Sequence, residues 1–270
     1  MTLKVTMVGG PTAVLEIGGL RVITDPTFDP PQTYPGDPEA GIPVITKTVG
    51  PALGVDEVGP VDVALVSHDH HIDNLDQSGR AFLAGVGSVF TTSAGAERLG
   101  GGAVGLEPYG SATVRRPGGG ELTITGVPAR HGPDGLWQLV GPVIGFVLSG
   151  DGLPTVYVSG DNSSLEVVGE VADKIGEIDV AVLFCGGAKF DEILDGAYLT
   201  LSNDDAVRAA ELLGSATVIP VHADGWAHFS QSPAQLRAAY EAAGIGDRLV
   251  VVRPGATADL DASVSSAPSD

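Results

Sequence analysis

The sequence predicts an α/β protein whose β-sheets are buried under helices in one large domain. Three observations carry this. Apolar strand-like runs alternate with helix-like segments from residue 61 to the end of the ordered pattern near 255. The first quarter alternates short β-rich runs with glycine turns. The chain has 270 residues, 43% hydrophobic and 18% charged, enough to bury a sizeable core.

The elements follow in order. LKVTMVG (3–9), AVLEI (13–17) and LRVITD (20–25) read as strands, the last two joined by Gly18–Gly19, a hairpin signal. Residues 26–60 are rich in Pro, Gly and Asp and predict a long loop over one face. VDVALVS (61–67) predicts a strand, residues 78–85 a helix, SVFTT (88–92) a strand and residues 94–99 a short helix. TITGVPA (123–129), VIGFVLS (143–149) and TVYVSGD (155–161) predict consecutive strands. Helices near 164–175, 203–213 and 233–243 then separate strands at IDVAVLFCG (178–186), ATVIPVH (216–222) and RLVVVRPG (248–255). The domain is expected to span 1–255, with a small polar tail at 256–270 that frays.

Fourteen Lys and Arg against 34 Asp and Glu give a net charge of −20. That charge repels phosphate backbones and anionic lipid surfaces, and Arg115–Arg116 is the sole adjacent basic pair, so no nucleic-acid partner is expected. No apolar run approaches the ~20 residues that cross a bilayer, so no membrane insertion is expected. The opening MTLKVTMVGG lacks an export pattern, and a lone cysteine, Cys185, suits a reducing compartment; a cytoplasmic address is expected.

The chemistry gathers at strand ends. Residues 66–74 read VSHDHHIDN, which places His68, His70, His71, Asp69 and Asp73 directly behind an apolar strand. His131 follows TITGVPAR, Asp161 ends TVYVSGD and His222 ends ATVIPVH. A lone histidine or aspartate after a strand is usually a loop or capping residue. Four strands each delivering a metal-capable side chain just past the last apolar residue point instead to one centre at a sheet edge. Neutral imidazoles and carboxylates suit Zn, Fe or Mn, and Cys185, inside VLFCGG, reads as a small core residue.

The motif order resembles the metallo-β-lactamase superfamily: a His-x-His-x-Asp-His loop, a single His, an Asp and a final His. The stretch VTMVGGPTAVLEIGGLRVITDPTF looks like the branch of ascorbate-6-phosphate lactonases and N-acylphosphatidylethanolamine phospholipase D. The resemblance covers roughly residues 3–255 and implies an αββα four-layer sandwich of two mixed β-sheets flanked by helices. It also implies one or two divalent ions, Zn first and Mn or Fe after it. Carried over, His68, His70 and His131 bind one ion, Asp161 bridges, and Asp73 with His222 binds the other.

The motif departs from the family in its register. Either Ile72 is an inserted residue, or the frame slides so that Asp69-x-His71-x-Asp73-Asn74 supplies the ligands. Both leave Asn74 where the family has histidine, as a weaker oxygen ligand. Gly9-Gly10-Pro11-Thr12 also stands where that branch has a polar His or Gln, and Asp25 in ITDPTF is read as supporting a ligand rather than being one.

The implied activity is hydrolysis by a metal-bound hydroxide, with Asp73 orienting the water. His228, beside Trp226 and Phe229, is a candidate for the leaving-group proton or for gripping the substrate. Small esters or lactones rank ahead of phosphodiesters because the chain is so acidic. The alternative is a metal-binding sensor or partner-binding protein without hydrolysis. The partner expected is a small molecule, with a homo-oligomer left open.

Overall fold

The structure is a computed structural model that describes residues 2–37, 39, 42–135 and 139–261. Strands β1 (Thr2–Gly9), β2 (Thr12–Ile17) and β3 (Leu20–Thr24) are antiparallel neighbours. Gly18 and Gly19 both take positive φ, 60° and 84°, the left-handed pair that a two-residue hairpin turn requires. The Pro- and Gly-rich stretch is not featureless. It holds a two-stranded ribbon, β4 (Gln32–Tyr34) with β5 (Ile45–Lys47), and one turn of helix, α1 (Val55–Val58).

Next come β6 (Val63–Leu65), α2 (Gln77–Phe82), β7 (Ser88–Thr91), α3 (Ser93–Leu99) and β8 (Val104–Gly105). β6 pairs parallel with β3, β7 with β6, and β8 with β7. Strands β9 (Ser111–Arg115), β10 (Glu121–Pro128), β11 (Ile144–Ser149) and β12 (Val156–Val158) form an antiparallel meander. The chain continues through α4 (Leu165–Ile175), β13 (Val180–Phe184), α5 (Asn203–Leu212), β14 (Thr217–Val221) and α6 (Pro233–Ala242). It ends in β15 (Thr257–Asp261). Ser164, Ser202 and Ser232 cap α4, α5 and α6, each accepting a bond from a backbone N–H in the first turn.

Two mixed sheets result, ordered β15-β1-β2-β3-β6-β7-β8 and β14-β13-β12-β11-β10-β9. Their inner faces supply the main core, with Leu3, Val5, Leu15 and Val22 in the same cluster as Phe146, Leu148, Val182 and Phe184. Period-two alternation sends the intervening residues outward. Tyr157, Ala181, Leu183 and Val218 meet Val168, Val171, Ala206, Leu236 and Tyr240 of the three long helices. On the other sheet, Val14, Ile23 and Ala64 meet Phe28, Val58, Leu75 and Leu83. This is the αββα order expected from the sequence.

Two boundaries differ from expectation. The fraying tail placed at 256–270 begins too early: residues 257–261 are β15, which pairs antiparallel with β1 from Thr6↔Thr257 to Thr2↔Asp261. Ala258 and Leu260 pack on the core between polar neighbours, a period-two pattern hidden by the low apolar content. The rest of the expected tail, 262–270, lies outside the described residues. RLVVVRPG makes no regular strand. It touches β14 through one bridge, Val218↔Leu249, before Pro254 and Gly255 (φ 82°) turn the chain back toward Met7.

Candidate metal centre

β3 and β6 run side by side, so Asp25, one residue past β3, sits beside the turn that follows β6. Its carboxylate accepts from the Ser67 backbone N–H and the Ser67 hydroxyl, both at 2.6 Å. The same hydroxyl lies 2.9 Å from Nδ1 of His68. Because that hydroxyl gives its proton to Asp25, it accepts from Nδ1–H, and the lone pair of His68 Nε2 faces the centre. His131 is fixed in the same sense: its Nδ1 donates to the Leu199 carbonyl at 2.7 Å, leaving Nε2 free.

These nitrogens converge. His68 Nε2 is 2.9 Å from His71 Nδ1, which is 3.3 Å from His131 Nε2. His131 Nε2 is 3.6 Å from Asp161 Oδ2. On the other side His222 Nε2 is 3.4 Å from Asp73 Oδ2 and 3.5 Å from Asp161 Oδ1. Asp161 therefore turns one oxygen to each group. Donors 2.0–2.2 Å from a tetrahedral cation stand about 3.3–3.6 Å apart, which the four longer separations match, while the His68–His71 pair at 2.9 Å is closer.

The donor chemistry also fits. His222 is fully buried and neither ring nitrogen has a hydrogen-bond partner. Its backbone takes φ 56°, a conformation uncommon outside glycine, and its N–H is tied to the Gly10 carbonyl at 2.7 Å. An imidazole held in this way, with no hydrogen bond and two carboxylates beside Nε2, fits a cation between them.

Burial, together with the neighbouring imidazoles, holds the His68 and His71 pKa values well below the ordinary histidine range, so both present neutral nitrogens. At Asp73 burial pushes the pKa up, but the imidazoles of His222 and His228 outweigh it and hold the carboxyl well below its usual range. Burial lifts Asp25 to about 7 against the pull of Ser67 and Asn74.

The loop draws on both expected registers. His70 stands with His68 and His71, all three donors within 4.8 Å of one another, and its Nε2 donates to the Val140 carbonyl at 2.8 Å, which leaves Nδ1 with its lone pair. Asp69 faces Arg98 rather than the centre. His68 and His71 also converge, at 2.9 Å, a spacing of three found in neither frame.

Asn74 keeps its Oδ1 buried without a hydrogen bond, and its amide nitrogen has a second role. Its Nδ2 donates to Asp25 at 3.1 Å and to Asp161 at 2.9 Å, so it ties the outer carboxylate to the inner one. No local sequence signal marks that role.

His228 Nε2–H donates to Asp73 Oδ2 at 2.9 Å, and Phe190 stacks on its ring at 4.8 Å and 13°. His228, Phe190, Val44, Thr46 and Lys189 line a pocket of about 320 Å³. Phe190 lies 38 positions from His228 and could not be paired with it by spacing.

Paired sheets under helices, with histidines and carboxylates at the strand ends, define a metallo-hydrolase type of protein. The description "Beta-lactamase superfamily domain" matches residues 20–223, and the chain belongs to that superfamily, the metallo-β-lactamases. It is similar to the UPF0173 metal-dependent hydrolase of Pyrococcus furiosus, 26% identical over 95% of this chain and 99% of that one. It is 30% identical to the UPF0173 metal-dependent hydrolase of Pelotomaculum thermopropionicum over 74% of this chain and 82% of the relative. Among solved structures it shares its fold with a possible metal-dependent hydrolase from Veillonella parvula. There the TM-score is 0.80 at 20% identity, over 96% of this chain and 100% of the other.

Proposed function

We propose that His68, His71, His131 and Asp161 hold one divalent cation and Asp73, Asp161 and His222 a second. We further propose that this metal-dependent hydrolase cleaves small ester or lactone substrates, with phosphodiesters ranked after them. The observation that carries the centre is His222, buried with no hydrogen bond to either ring nitrogen and with Nε2 3.4 and 3.5 Å from two carboxylates. Zinc suits the nitrogen-rich half best, with Mn or Fe as alternatives. When bound, such cations acidify water toward neutrality and polarise the oxygen of the scissile group.

The chain's own residues do the rest. Asp161 fixes the spacing of the two halves, and Asn74 holds Asp161 in place. Asp73 is the carboxylate of the centre that is linked to the pocket, through its bond from His228, and it orients the attacking water. His228 lines the pocket, so substrate meets it there. Asp191 and Glu192 also line it, and with a net charge of −20 the entrance favours neutral substrates over polyanions. Cys185 is buried and unpaired, in keeping with a cytoplasmic setting. The sensor alternative is motivated by Asn74 and the shifted Asp73, and metal bound without hydrolysis across an ester, lactone and phosphodiester panel would favour it.

The test is elemental analysis of the purified chain, followed by an ester, lactone and phosphodiester panel before and after chelation. Two equivalents of Zn, Mn or Fe and chelator-sensitive ester or lactone hydrolysis are expected. Less than one equivalent, or turnover untouched by chelation, would overturn the reading.

A further inference from the structure

In the middle of the histidine loop, the Asp69 side chain is only 2% exposed, yet it serves none of the inward-facing nitrogens. Arg98, from α3, donates Nε to both of its oxygens at 3.1 and 3.0 Å and adds a contact from Nη2. Arg80, from α2, donates Nη2 to the Asp69 backbone carbonyl at 2.7 Å and stands 3.5 Å from the carboxylate. The loop is therefore pinned from outside, by two different helices, at the residue between its first two histidines.

That pin has a chemical consequence. Asp69 is the one carboxylate in the loop that could displace a histidine from the first cation, as the frame Asp69-x-His71-x-Asp73 would have it do. A guanidinium binding two oxygens at once fixes both the position and the direction of a carboxylate, which an ammonium cannot. With Asp69 turned out, His68 and His71 are left 2.9 Å apart and the first cluster is three imidazoles with one shared carboxylate. Nitrogen-rich sets favour Zn and its neighbours, whereas oxygen-rich sets favour Mn and Mg.

We propose that Arg98, assisted by Arg80, is a positioning residue that selects the His68/His71 register and so tunes the first site toward zinc over manganese. The proposal rests on the two-cation reading above. It concerns which atoms bind, not whether a cation binds.

The experiment measures Zn and Mn affinity by chelator competition for the wild type and the variants Arg98→Met, Arg98→Lys, Asp69→Asn and Asp69→Ala. The melting temperature of each chelated protein is recorded alongside. Loss of a partner that orients a metal ligand weakens affinity by roughly 10–100-fold. Arg98→Met is expected to lower Zn affinity about tenfold or more while Mn affinity falls less, so that the Zn/Mn ratio narrows, and Arg98→Lys should restore part of it. Asp69→Asn and Asp69→Ala unpin the loop but supply no competing carboxylate, so they should weaken both affinities while leaving the Zn/Mn ratio nearer the wild type's than Arg98→Met does.

Two outcomes would overturn the assignment. If Asp69→Ala abolished cation binding while Arg98→Met preserved or raised it, Asp69 would be a ligand itself. If Arg98→Met lowered only the melting temperature and left both affinities unchanged, the pair would be a surface brace. A wild type that bound no cation would instead defeat the underlying site reading, and the register assignment with it.

Discussion

Ser67 shows how a residue with no catalytic chemistry can decide a ligand's state. Its hydroxyl joins Asp25 to His68 Nδ1, and the direction of that relay leaves the other nitrogen of His68 unprotonated, with its lone pair facing inward. Ser67→Ala should lower cation affinity by roughly 10–100-fold while the protein stays folded, because the imidazole loses the partner that fixes its tautomer. Isothermal titration with Zn would check this, and an unchanged affinity would show that His68 is oriented by packing alone. Sequence reasoning anticipated Asp25 as a supporting carboxylate, since it sits in an Asp-Pro step at a strand end. It could not anticipate that Asn74 bridges Asp25 and Asp161, because the three residues lie 49 and 87 positions apart and meet only where the two sheets meet.

At the scale of the element, the centre depends on how closely turns can approach one another. Gly186, past the end of β13, packs so near the β14 turn that an added Cβ would lie 2.1 Å from the His222 carbonyl oxygen and 2.7 Å from Ala223 Cα. Gly186→Ala should therefore cost about 1–3 kcal/mol and displace His222, seen as a lower urea midpoint together with fewer bound cations per chain.

The ribbon of β4 and β5 is fastened differently. Lys47, 3% exposed, donates to Asp76 at 2.9 Å, while Asp76 also accepts from the backbone N–H groups of Phe28, Asp29 and Gly79. Burial lowers the Lys47 pKa, and the charge of Asp76 works against that shift. Lys47→Met leaves that carboxylate buried without its cation and should cost about 3–5 kcal/mol, read from denaturant unfolding. Nothing in the Pro- and Gly-rich composition of residues 26–60 signalled this anchor, because it depends on Asp76 capping α2 from the far side of the histidine loop.

For the whole molecule, the last strand closes the first sheet. β15 covers the outer edge of β1, and Ala258 and Leu260 add to the inter-sheet core. A chain ending at Ala256 would expose the N–H and C=O row of β1 as an open edge. It should melt at a lower temperature and scatter light sooner on heating than the full chain. Equal melting and scattering would mean that β15 contributes nothing to closure. Among the described residues no helix is long and apolar enough to cross a membrane, and the helices instead cover the two sheet faces.

The sequence by itself determined the layered architecture, because period-two burial along strands and serine-capped amphipathic helices are local properties that the chain writes residue by residue. It also determined which strands deliver His68, His131, Asp161 and His222, since each lies within three residues of the last apolar residue of its strand-like run. Only the tertiary structure decided which way each side chain of VSHDHHIDN faces. His68, Asp69, His70 and His71 are adjacent along the chain, and their spacing alone permits several frames. Their directions depend on partners remote in sequence: Arg98 and Arg80 draw Asp69 outward, the Val140 carbonyl takes the Nε2–H of His70, and His131 stands 3.3 Å from His71. Such contacts join distant segments, and they exist only once the two sheets have packed.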